Sequence, residues 1–409
     1  MARPARRAGA RGRRRPRPGG VRGALRRPPR RAGGGAGVRP LRICLYTSTY
    51  TPTVGGQEEV VDRQAQFLCA RGHQVVVVAP RVRHRDNRLD RPFRVVRFAK
   101  PTSQRYGVSQ VALYLALVRL RWGMDLLHAH GLYPAGFVAS QFARLWPVPL
   151  VLTAHGGDID PAEEVRTRPL FARRLARTLA RADAVTAIST AIHREYRTLG
   201  VAEERIFDVA NGVEVAAFRA PPPAPYPRPY CLALGLFFRK KGFDVLIAAW
   251  ARLDPALRAR VDLVIAGAGQ EEGALRRQVA AAGLEKNISF PGLVRGLEKV
   301  AWLAHAEVVV VPSRREPFGL VVAEALAAGR PVVASRVGGI CDMVRDGVEG
   351  LLVEPEQPDA LAAGLARLLA DAPLRGRLAT AAAQRAVAYD WARLLPGYEA
   401  VYQRLVEER

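Results

Sequence analysis

Two glutamates eight positions apart give the clearest sign of chemistry in the sequence. Glu316 and Glu324 lie in PSRREPFGLVVAEALAAG, where a predicted strand leads into a predicted helix. The first N–H groups of that helix, on Phe318, Gly319 and Leu320, have no partner inside the helix and can bind a phosphate. Eight helical residues span about 12 Å, whereas the paired carboxylates of a glycosidase stand about 5–9.5 Å apart. The spacing favours two ends of an extended ligand, with Glu324 accepting hydrogen bonds from a ribose; the alternative is that both acids only complement the helix dipole.

A glycine pair follows the first predicted strand in the segment YTPTVGGQE. Because Gly55 and Gly56 lack side chains, the backbone there can approach a diphosphate closely at the start of a helix. A tight strand-to-helix turn would need the same residues. This motif alone therefore leaves both interpretations open.

A second glycine pair, Gly267 and Gly269, lies in VIAGAGQEEG. Its spacing is G-x-G-x-x-x-G, one residue longer than the dinucleotide-binding fingerprint. The segment does not favour NAD, and we predict that the protein uses no cofactor.

A cluster of cations stands between a predicted strand and a predicted helix in GLFFRKKG. Arg239, Lys240 and Lys241 can neutralise the charge that builds on a departing nucleoside diphosphate. The alternative is a solvated basic turn on the surface.

Three histidines lie at the ends of predicted strands. His155, in HGGD, comes after the predicted strand 149–153 and adjoins a glycine pair at the edge where such sheets bind ligands. His128 and His130, in LHAHG, would face the same side of a strand, which makes a metal pair conceivable. No third ligand is evident in the sequence, and we interpret this pair as structural or cleft-lining histidines.

The elements that must position these residues alternate along the chain from residue 41 onward. Strands are predicted at 41–46, 74–80, 125–129, 149–153, 184–188 and 206–210. Several are apolar throughout, as in a parallel sheet covered on both faces. Helical patterns such as 58–71, 108–121 and 164–181 lie between them. This order predicts a doubly wound α/β sheet.

A proline-rich segment, FRAPPPAPYPRP, interrupts the alternation and predicts a linker at 213–229. The same order then restarts, with strands predicted at 230–236, 261–266, 288–292, 308–312, 331–335 and 350–353. We therefore predict two Rossmann-like doubly wound domains, 41–212 and 230–385, that face a central cleft. Within 386–409, a helix at 389–407 is expected to pack back on the N-terminal domain. The cleft is the expected ligand site.

The net charge of +26 suggests contact with nucleic acid or an acidic membrane, but its distribution weakens that interpretation. Residues 1–40 contain 14 Arg and no acidic residue, and we predict a disordered tail there, without a secretory signal. Four scattered cysteines indicate reduced thiols and a cytoplasmic protein. A stripe of arginines in the predicted helix 164–181 could contact an anionic membrane at its inner face, although a solvated surface is the simpler interpretation: Arg173, Arg174, Arg177 and Arg181. Nucleic acid is not an expected partner.

The segment EPFGLVVAEALAAGRPVVAS, followed by VGGICDMVRDGVEGLLVEP, resembles the donor-binding motif of the retaining family-4 glycosyltransferases, which have the two-domain GT-B fold. The resemblance covers essentially all of 41–405. It implies an enzyme that moves a sugar from a nucleotide diphosphate donor with retention of anomeric configuration. The acceptor, whether a carbohydrate, a lipid-linked molecule or a small molecule, is not implied.

The resemblance also implies residue roles. In the catalytic group, Lys241 would hold the diphosphate, Glu316 would bind sugar hydroxyls and His155 would lie beside the anomeric carbon. The donor-binding group would comprise Gly55, Gly56, Arg239, Lys240, Gly267, Gly269, Phe318, Gly319, Leu320 and Glu324.

Two features depart from simple expectation. Leu236 occupies the position after Gly235 where the family pattern has an arginine. Either Arg239 or Lys240 reaches the phosphate instead, or the donor differs, or activity is impaired. Asp158 and Asp160 match the DxD pattern of metal-dependent glycosyltransferases, but GT-B enzymes generally rely on basic residues and helix dipoles, and we predict no metal. The alternatives are a nucleotide-sugar epimerase or phosphorylase of the same fold, or a non-catalytic nucleotide-sugar-binding homologue.

Overall fold

The computed structural model describes residues 39–53, 55–81, 90–98, 106–120 and 123–409, and between 106 and 113 only the side chain of Val111 is included. The predicted disordered tail, 1–40, therefore lies outside the described residues except for its last two positions. Within the described ranges the chain forms two α/β domains, each built on one parallel sheet.

The N-terminal domain contains a seven-stranded parallel sheet. Its strands are β1 (Arg42–Thr47), β2 (Gln74–Pro80), β3 (Arg94–Phe98), β4 (Leu126–His130), β5 (Leu150–Thr153), β6 (Ala184–Ala187) and β7 (Ile206–Asp208). They are ordered β3-β2-β1-β4-β5-β6-β7. The strand β3 was not among the sequence predictions, because this edge strand is only partly buried and lacks a continuous apolar run.

Helices cover both faces of this sheet. They are α1 (Gly56–Ala70), α2 (Tyr106–Leu120), α3 (Phe137–Leu145), α4 (Glu164–Thr167), α5 (Pro169–Arg181) and α6 (Thr190–Thr198). In β1, Ile43 and Leu45 pack on the side of α1, whereas Cys44 and Tyr46 pack on the side of α2, α3 and α5. The predicted single helix 164–181 is two helices, because Pro169 disfavours helical geometry at Arg168, which is extended.

The C-terminal domain contains a six-stranded parallel sheet. Its strands are β8 (Tyr230–Leu234), β9 (Asp262–Ala266), β10 (Ile288–Ser289), β11 (Val308–Val311), β12 (Val332–Ser335) and β13 (Gly350–Val353). They are ordered β10-β9-β8-β11-β12-β13. The helices of this half are α7 (Phe243–Ala251), α8 (Pro255–Arg260), α9 (Glu272–Ala281), α10 (Gly296–Ala304), α11 (Leu320–Ala327), α12 (Ile340–Met343), α13 (Pro358–Ala370) and α14 (Ala372–Ala386), followed by α15 (Trp391–Glu407).

Both sheets change direction of strand order at their centre, between β1 and β4 and between β8 and β11. In such sheets ligands bind beyond the carboxyl ends of the strands at this switch point. The loops after β1, β8 and β11 carry the glycine pair, the basic cluster and the EPFG segment, whereas the LHAHG segment comprises the end of β4 and the glycine that follows it. The predicted fold class, two Rossmann-like doubly wound domains, is confirmed.

The chain passes between the domains twice, and the two passages lie side by side. Val213 donates its N–H to the carbonyl of Tyr389, and its own carbonyl accepts from the N–H of Trp391. After the second passage, α15 packs on the N-terminal sheet, where Tyr398 and Tyr402 are fully buried. None of the described helices is both long and apolar enough to span a bilayer.

Candidate functional site

The two domains enclose a cleft of about 680 Å³. Its lining brings together residues from the predicted loops of both domains, including Gly55, Gly56, Glu59, Gly235, Leu236, Gly267, Arg295, Lys299, Leu320 and Glu324. A smaller pocket of about 340 Å³ lies where Gly156, next to His155, approaches Glu316. The predicted site residues therefore lie in or beside the interface between the two sheets.

The EPFG loop presents backbone N–H groups at the start of α11. Gly319 has a φ of 101°, in the left-handed region that favours glycine, and it precedes the first helical residue, Leu320. In the described part of the chain, no hydrogen bond is donated by the N–H groups of Phe318, Gly319 or Leu320. The side chain of Phe318 is buried against Tyr389, so this residue can offer a ligand only its backbone.

A glycine pair in the following loop holds the EPFG loop in place. Gly339 donates its N–H to the carbonyl of Glu316 over 3.0 Å. A Cβ on Gly338 would lie 2.0 Å from the same carbonyl oxygen, so a side chain does not fit there. Sequence reasoning gave Gly338 and Gly339 no role, although their place after the predicted strand 331–335 was a usable signal.

Lys241 and Glu316 contact each other directly. The ammonium Nζ donates to Glu316 Oε2 over 2.5 Å, and the hydroxyl of Ser313 donates to the same oxygen over 3.2 Å. Two groups predicted to bind the diphosphate and the sugar are thus adjacent.

The basic turn is held by Arg314, which sequence reasoning missed. Its backbone N–H donates to the carbonyl of Lys240 over 2.8 Å, and its guanidinium donates to the carbonyl of Arg239 over 2.7 Å. The same guanidinium forms two hydrogen bonds with Asp244, at 2.7 and 2.8 Å. The side chain of Arg239 is exposed, and neither Arg239 nor Lys240 lines the described cleft wall.

Leu236 lines the cleft, so an apolar side chain stands where the family resemblance implied an arginine. Behind it, a Cβ on Gly267 would lie 1.9 Å from the carbonyl oxygen of Gly235, and one on Gly269 would lie 2.7 Å from the backbone of Phe237. Both glycines therefore allow close packing of neighbouring loops, and only Gly267 also lines the cleft.

Glu324 is buried at the other end of the cleft and contacts the ammonium of Lys299. Lys299 also lies 3.5 Å from the carboxylate of Glu59, in the first turn of α1. Burial raises the pKa of Glu324, and the positive charge of Lys299 partly offsets this effect. Burial alone would lower the pKa of Lys299, but the two carboxylates raise it above its usual range. Sequence reasoning missed Lys299, because nothing in its local sequence distinguishes it from a surface lysine.

The three histidines form a row in which His128 and His130 are fully buried and His155 is partly exposed. His130 Nδ1 lies 3.1 Å from His155 Nε2, and the rings of His128 and His130 have centroids 4.2 Å apart. His128 also bonds to the hydroxyls of Thr153 and Tyr402. Burial lowers the pKa of His155 to about 4 and that of His128 to about 3. His155 is therefore a neutral imidazole at pH 7, able to form hydrogen bonds but not to act as a cation.

The two aspartates of the DxD pattern have other partners. Asp158 accepts hydrogen bonds from the backbone N–H groups of Leu132, His155 and Gly156. Asp160 pairs with Arg315 of the opposite domain over 2.7 Å. Among the residues that the structure describes, no three His, Cys, Asp or Glu side chains come together as metal ligands.

Glycines also set how closely the domains approach. A Cβ on Gly56 would lie 2.5 Å from Leu320, and one on Gly156 would lie 2.1 Å from Pro317. Both neighbours belong to the C-terminal domain. The glycine pair after β1 thus opposes the start of α11, and the HGGD segment opposes the EPFG loop.

Comparison with known proteins agrees with this geometry. The model of the family Glycosyl transferases group 1 matches residues 215–385, and that of Glycosyltransferase Family 4 matches residues 54–217. This chain is 32% identical to D-inositol 3-phosphate glycosyltransferase of Nocardiopsis dassonvillei, over 70% of this chain and 71% of that protein.

Solved structures share the fold. Sucrose-phosphate synthase from Thermosynechococcus elongatus has a TM-score of 0.79 at 24% identity, covering 90% of this chain and 100% of that one. HepE of Anabaena, solved in complex with UDP and glucose, has a TM-score of 0.72 at 21% identity, covering 90% of this chain and 98% of that one.

Proposed function

This chain belongs to glycosyltransferase family 4, and we propose that it transfers a hexosyl group from a nucleotide diphosphate donor to an acceptor hydroxyl with retention of anomeric configuration. The observation that carries the proposal is that three donor-type groups lie along the interface between the domains, where Glu324 and Leu320 line the larger cleft and Glu316 lines the neighbouring pocket. These are the buried carboxylate of Glu324, the free N–H groups before α11, and Lys241 beside Glu316. HepE, whose fold this chain shares, was solved with UDP and glucose, which is consistent with a nucleotide-sugar donor.

In the proposed reaction, the diphosphate departs from the same face of the sugar that the acceptor attacks. The bond between C1 and the diphosphate oxygen breaks while the acceptor oxygen bonds to C1 from the same side, and the acceptor proton passes to the departing phosphate. Lys241 and the N–H groups of 318–320 would stabilise the charge on that phosphate. His155, neutral at pH 7, would contact the sugar by hydrogen bonding, and Glu316 would hold sugar hydroxyls.

We propose that this reaction needs no metal ion. Asp158 and Asp160 are occupied by backbone N–H groups and by Arg315, respectively. The cations and amide groups near the cleft could supply the charge stabilisation instead.

A binding screen tests the donor assignment. The full chain is mixed with UDP-, GDP- and ADP-glucose, with and without EDTA, and its melting temperature is measured. One nucleotide sugar is expected to raise the melting temperature equally in both conditions, because a ligand that binds only the folded state stabilises it. Stabilisation that disappears in EDTA would contradict metal independence. No stabilisation by any of the three would contradict a donor of this set.

A second feature concerns the acceptor side, namely the outer surface of α2, α3 and α5. None of these three helices contains an Asp or Glu. Among the side chains that the structure describes, the exposed ones of these helices are apolar or basic, and the larger of them are Val111, Leu115, Arg119, Arg144, Leu145, Leu170, Arg173 and Arg177. Of the predicted arginine stripe, Arg174 instead bonds to Tyr133 and Arg181 to Asp183. We propose that this face makes peripheral contact with an anionic membrane, and that the acceptor is lipid-linked.

Vesicle sedimentation tests this contact. The full chain is mixed with vesicles of phosphatidylcholine alone or with an equal part of phosphatidylglycerol. Replacing Arg173 and Arg177 by Gln is expected to weaken binding to the anionic vesicles about tenfold or more, since each basic residue near such a surface contributes about 1 kcal/mol. The control replaces two exposed arginines of the C-terminal domain, Arg367 and Arg377, by Gln. An equal loss of vesicle binding in both variants would show that binding depends only on net charge, and it would contradict the proposed membrane-binding face.

A further inference from the structure

Lys299 stands between two carboxylates that belong to different domains. It projects from α10 of the C-terminal domain and contacts Glu324 of α11. Its Nζ also lies 3.5 Å from Oε2 of Glu59, which belongs to α1 of the N-terminal domain. An ammonium has three N–H donors, so both contacts can form together.

The two carboxylates differ in their surroundings. The side chain of Glu324 is 7% exposed and that of Glu59 is 37% exposed. Within the described residues, Lys299 is the only cation paired with either of them. The buried carboxylate therefore depends on Lys299 for its counter-charge, whereas Glu59 is a weaker, partly hydrated partner.

Glu59 belongs to the N-terminal domain, so its distance from Lys299 depends on how closely the two domains approach each other. It lies in the first turn of α1, three positions after Gly56, and Gly55, Gly56 and Glu59 all line the cleft with Lys299. A stronger bond between Lys299 and Glu59 would draw this end of α1, with its glycine pair, towards the C-terminal wall.

We propose that Lys299 is a positioning residue that couples occupation of the donor site to closure of the cleft. The inference rests on the proposed function, in which Glu324 accepts hydrogen bonds from a donor ribose. Those hydrogen bonds spread the charge of Glu324 and weaken its attraction for the ammonium. Lys299 then shares more of its charge with Glu59, and α1 closes over the diphosphate.

Thermodynamic linkage between donor binding and the bond of Lys299 with Glu59 provides the test. If donor binding strengthens the bond between Lys299 and Glu59, loss of that bond must weaken donor binding by the same factor. The test variant is Glu59→Gln and its control is Asp160→Asn. Asp160 also joins the N-terminal domain to a cation of the C-terminal domain, Arg315, but it does not contact Glu324 or Lys299. The Kd of UDP, GDP and ADP is measured by calorimetry for the full chain and both variants.

The expected result is a Kd raised about fivefold or more by Glu59→Gln, the lower range of coupling between linked sites. Asp160→Asn should leave it within about twofold, as for an independent site. Lys299→Arg should retain most of the affinity because it keeps the charge. The double variant Glu59→Gln with Lys299→Gln should bind no more weakly than Lys299→Gln alone.

Different outcomes would overturn the coupling by Lys299 and the donor assignment on which it rests. Binding of one probe to the wild type with an unchanged Kd in Glu59→Gln would overturn the coupling alone. An equal loss in Glu59→Gln and Asp160→Asn would show general weakening of the interface and would also overturn it. If the wild type binds none of the three probes, the donor assignment and the coupling fail together.

Discussion

At the scale of single residues, the cleft is organised by pairs of opposite charge and by neutral imidazoles. Lys241 contacts Glu316 and Lys299 contacts Glu324, so two ammonium–carboxyl pairs lie in the region expected to bind the donor. An ionised carboxylate accepts hydrogen bonds from sugar hydroxyls at both oxygens. Residue types, their spacing and the family resemblance led to the prediction of Glu316, Glu324 and Lys241 as site residues. They could not select Lys299, whose partner Glu59 lies 240 positions away in the chain.

Leu236 offers a direct test of how the diphosphate is neutralised. Leu236→Arg is expected to lower the Kd of the preferred nucleoside diphosphate about tenfold, because a charged hydrogen bond contributes about 1.5–3 kcal/mol. Calorimetry measures the effect, and Leu236→Met, which adds no charge, serves as the control. An unchanged Kd in Leu236→Arg would show that the phosphate is bound out of reach of this position.

The lowered pKa of His155 predicts that the stability of the protein depends on pH. His155 has a folded pKa of about 4, and in the unfolded chain it would titrate near its ordinary value of about 6.5. Between these values the unfolded state binds more protons, so the stability contribution is complete above about pH 6.5 and is lost as the pH falls towards 4. Within this window one such histidine changes the free energy of unfolding by up to about 1.4 kcal/mol per pH unit.

Urea unfolding of the wild type and His155→Gln at several pH values measures this contribution. The difference in unfolding free energy between the two proteins should shift in favour of the variant as the pH falls from 6.5 to 5. A difference that stays constant across this range would contradict a depressed pKa at His155.

At the scale of helices and strands, burial on both faces explains what the sequence could predict. Twelve of the thirteen described strands were recognisable because their runs are largely apolar and β-branched, whereas β3 and the ends of helices depend on tertiary contacts. The break at Arg168 follows from Pro169, a local signal that the overall periodicity concealed. The loops after the strands carry the site. Their glycines are needed because the fold brings residues that are distant in sequence close to them.

Gly156 illustrates such a position. Its φ is 120°, and a Cβ would lie 2.1 Å from Pro317 of the opposite domain. Gly156→Ala is expected to destabilise the protein by about 1–3 kcal/mol through backbone strain and to separate the HGGD segment from the EPFG loop. The free energy of unfolding and the transferase rate should therefore both fall.

The neighbouring glycine supplies the control for this prediction. A Cβ on Gly157 has no atom within 4 Å, so Gly157→Ala should leave stability and rate close to those of the wild type. Equal effects of the two substitutions would show that contact with Pro317 is not the cause.

At the scale of the whole molecule, the two domains meet through a few polar contacts around the cleft. The hydroxyl of Ser189 donates to the carbonyl of Pro317 over 2.6 Å, and the N–H of Thr190 donates to Asp342 over 2.8 Å. Two domains facing a cleft could be predicted from the repeated alternation of strands and helices. The pairs that join them could not, because residues far apart in sequence meet only through the relative placement of two separate sheets.

The most direct test of the central claim is the fate of the donor sugar. The full chain is incubated with α-linked UDP-, GDP- or ADP-glucose in the presence of EDTA, and the anomeric protons are followed by proton NMR. We predict that one donor is consumed, that the first sugar released to water carries the α configuration, and that Lys241→Gln slows the reaction about 100-fold or more. A first product of β configuration would contradict the assignment of a retaining glycosyltransferase.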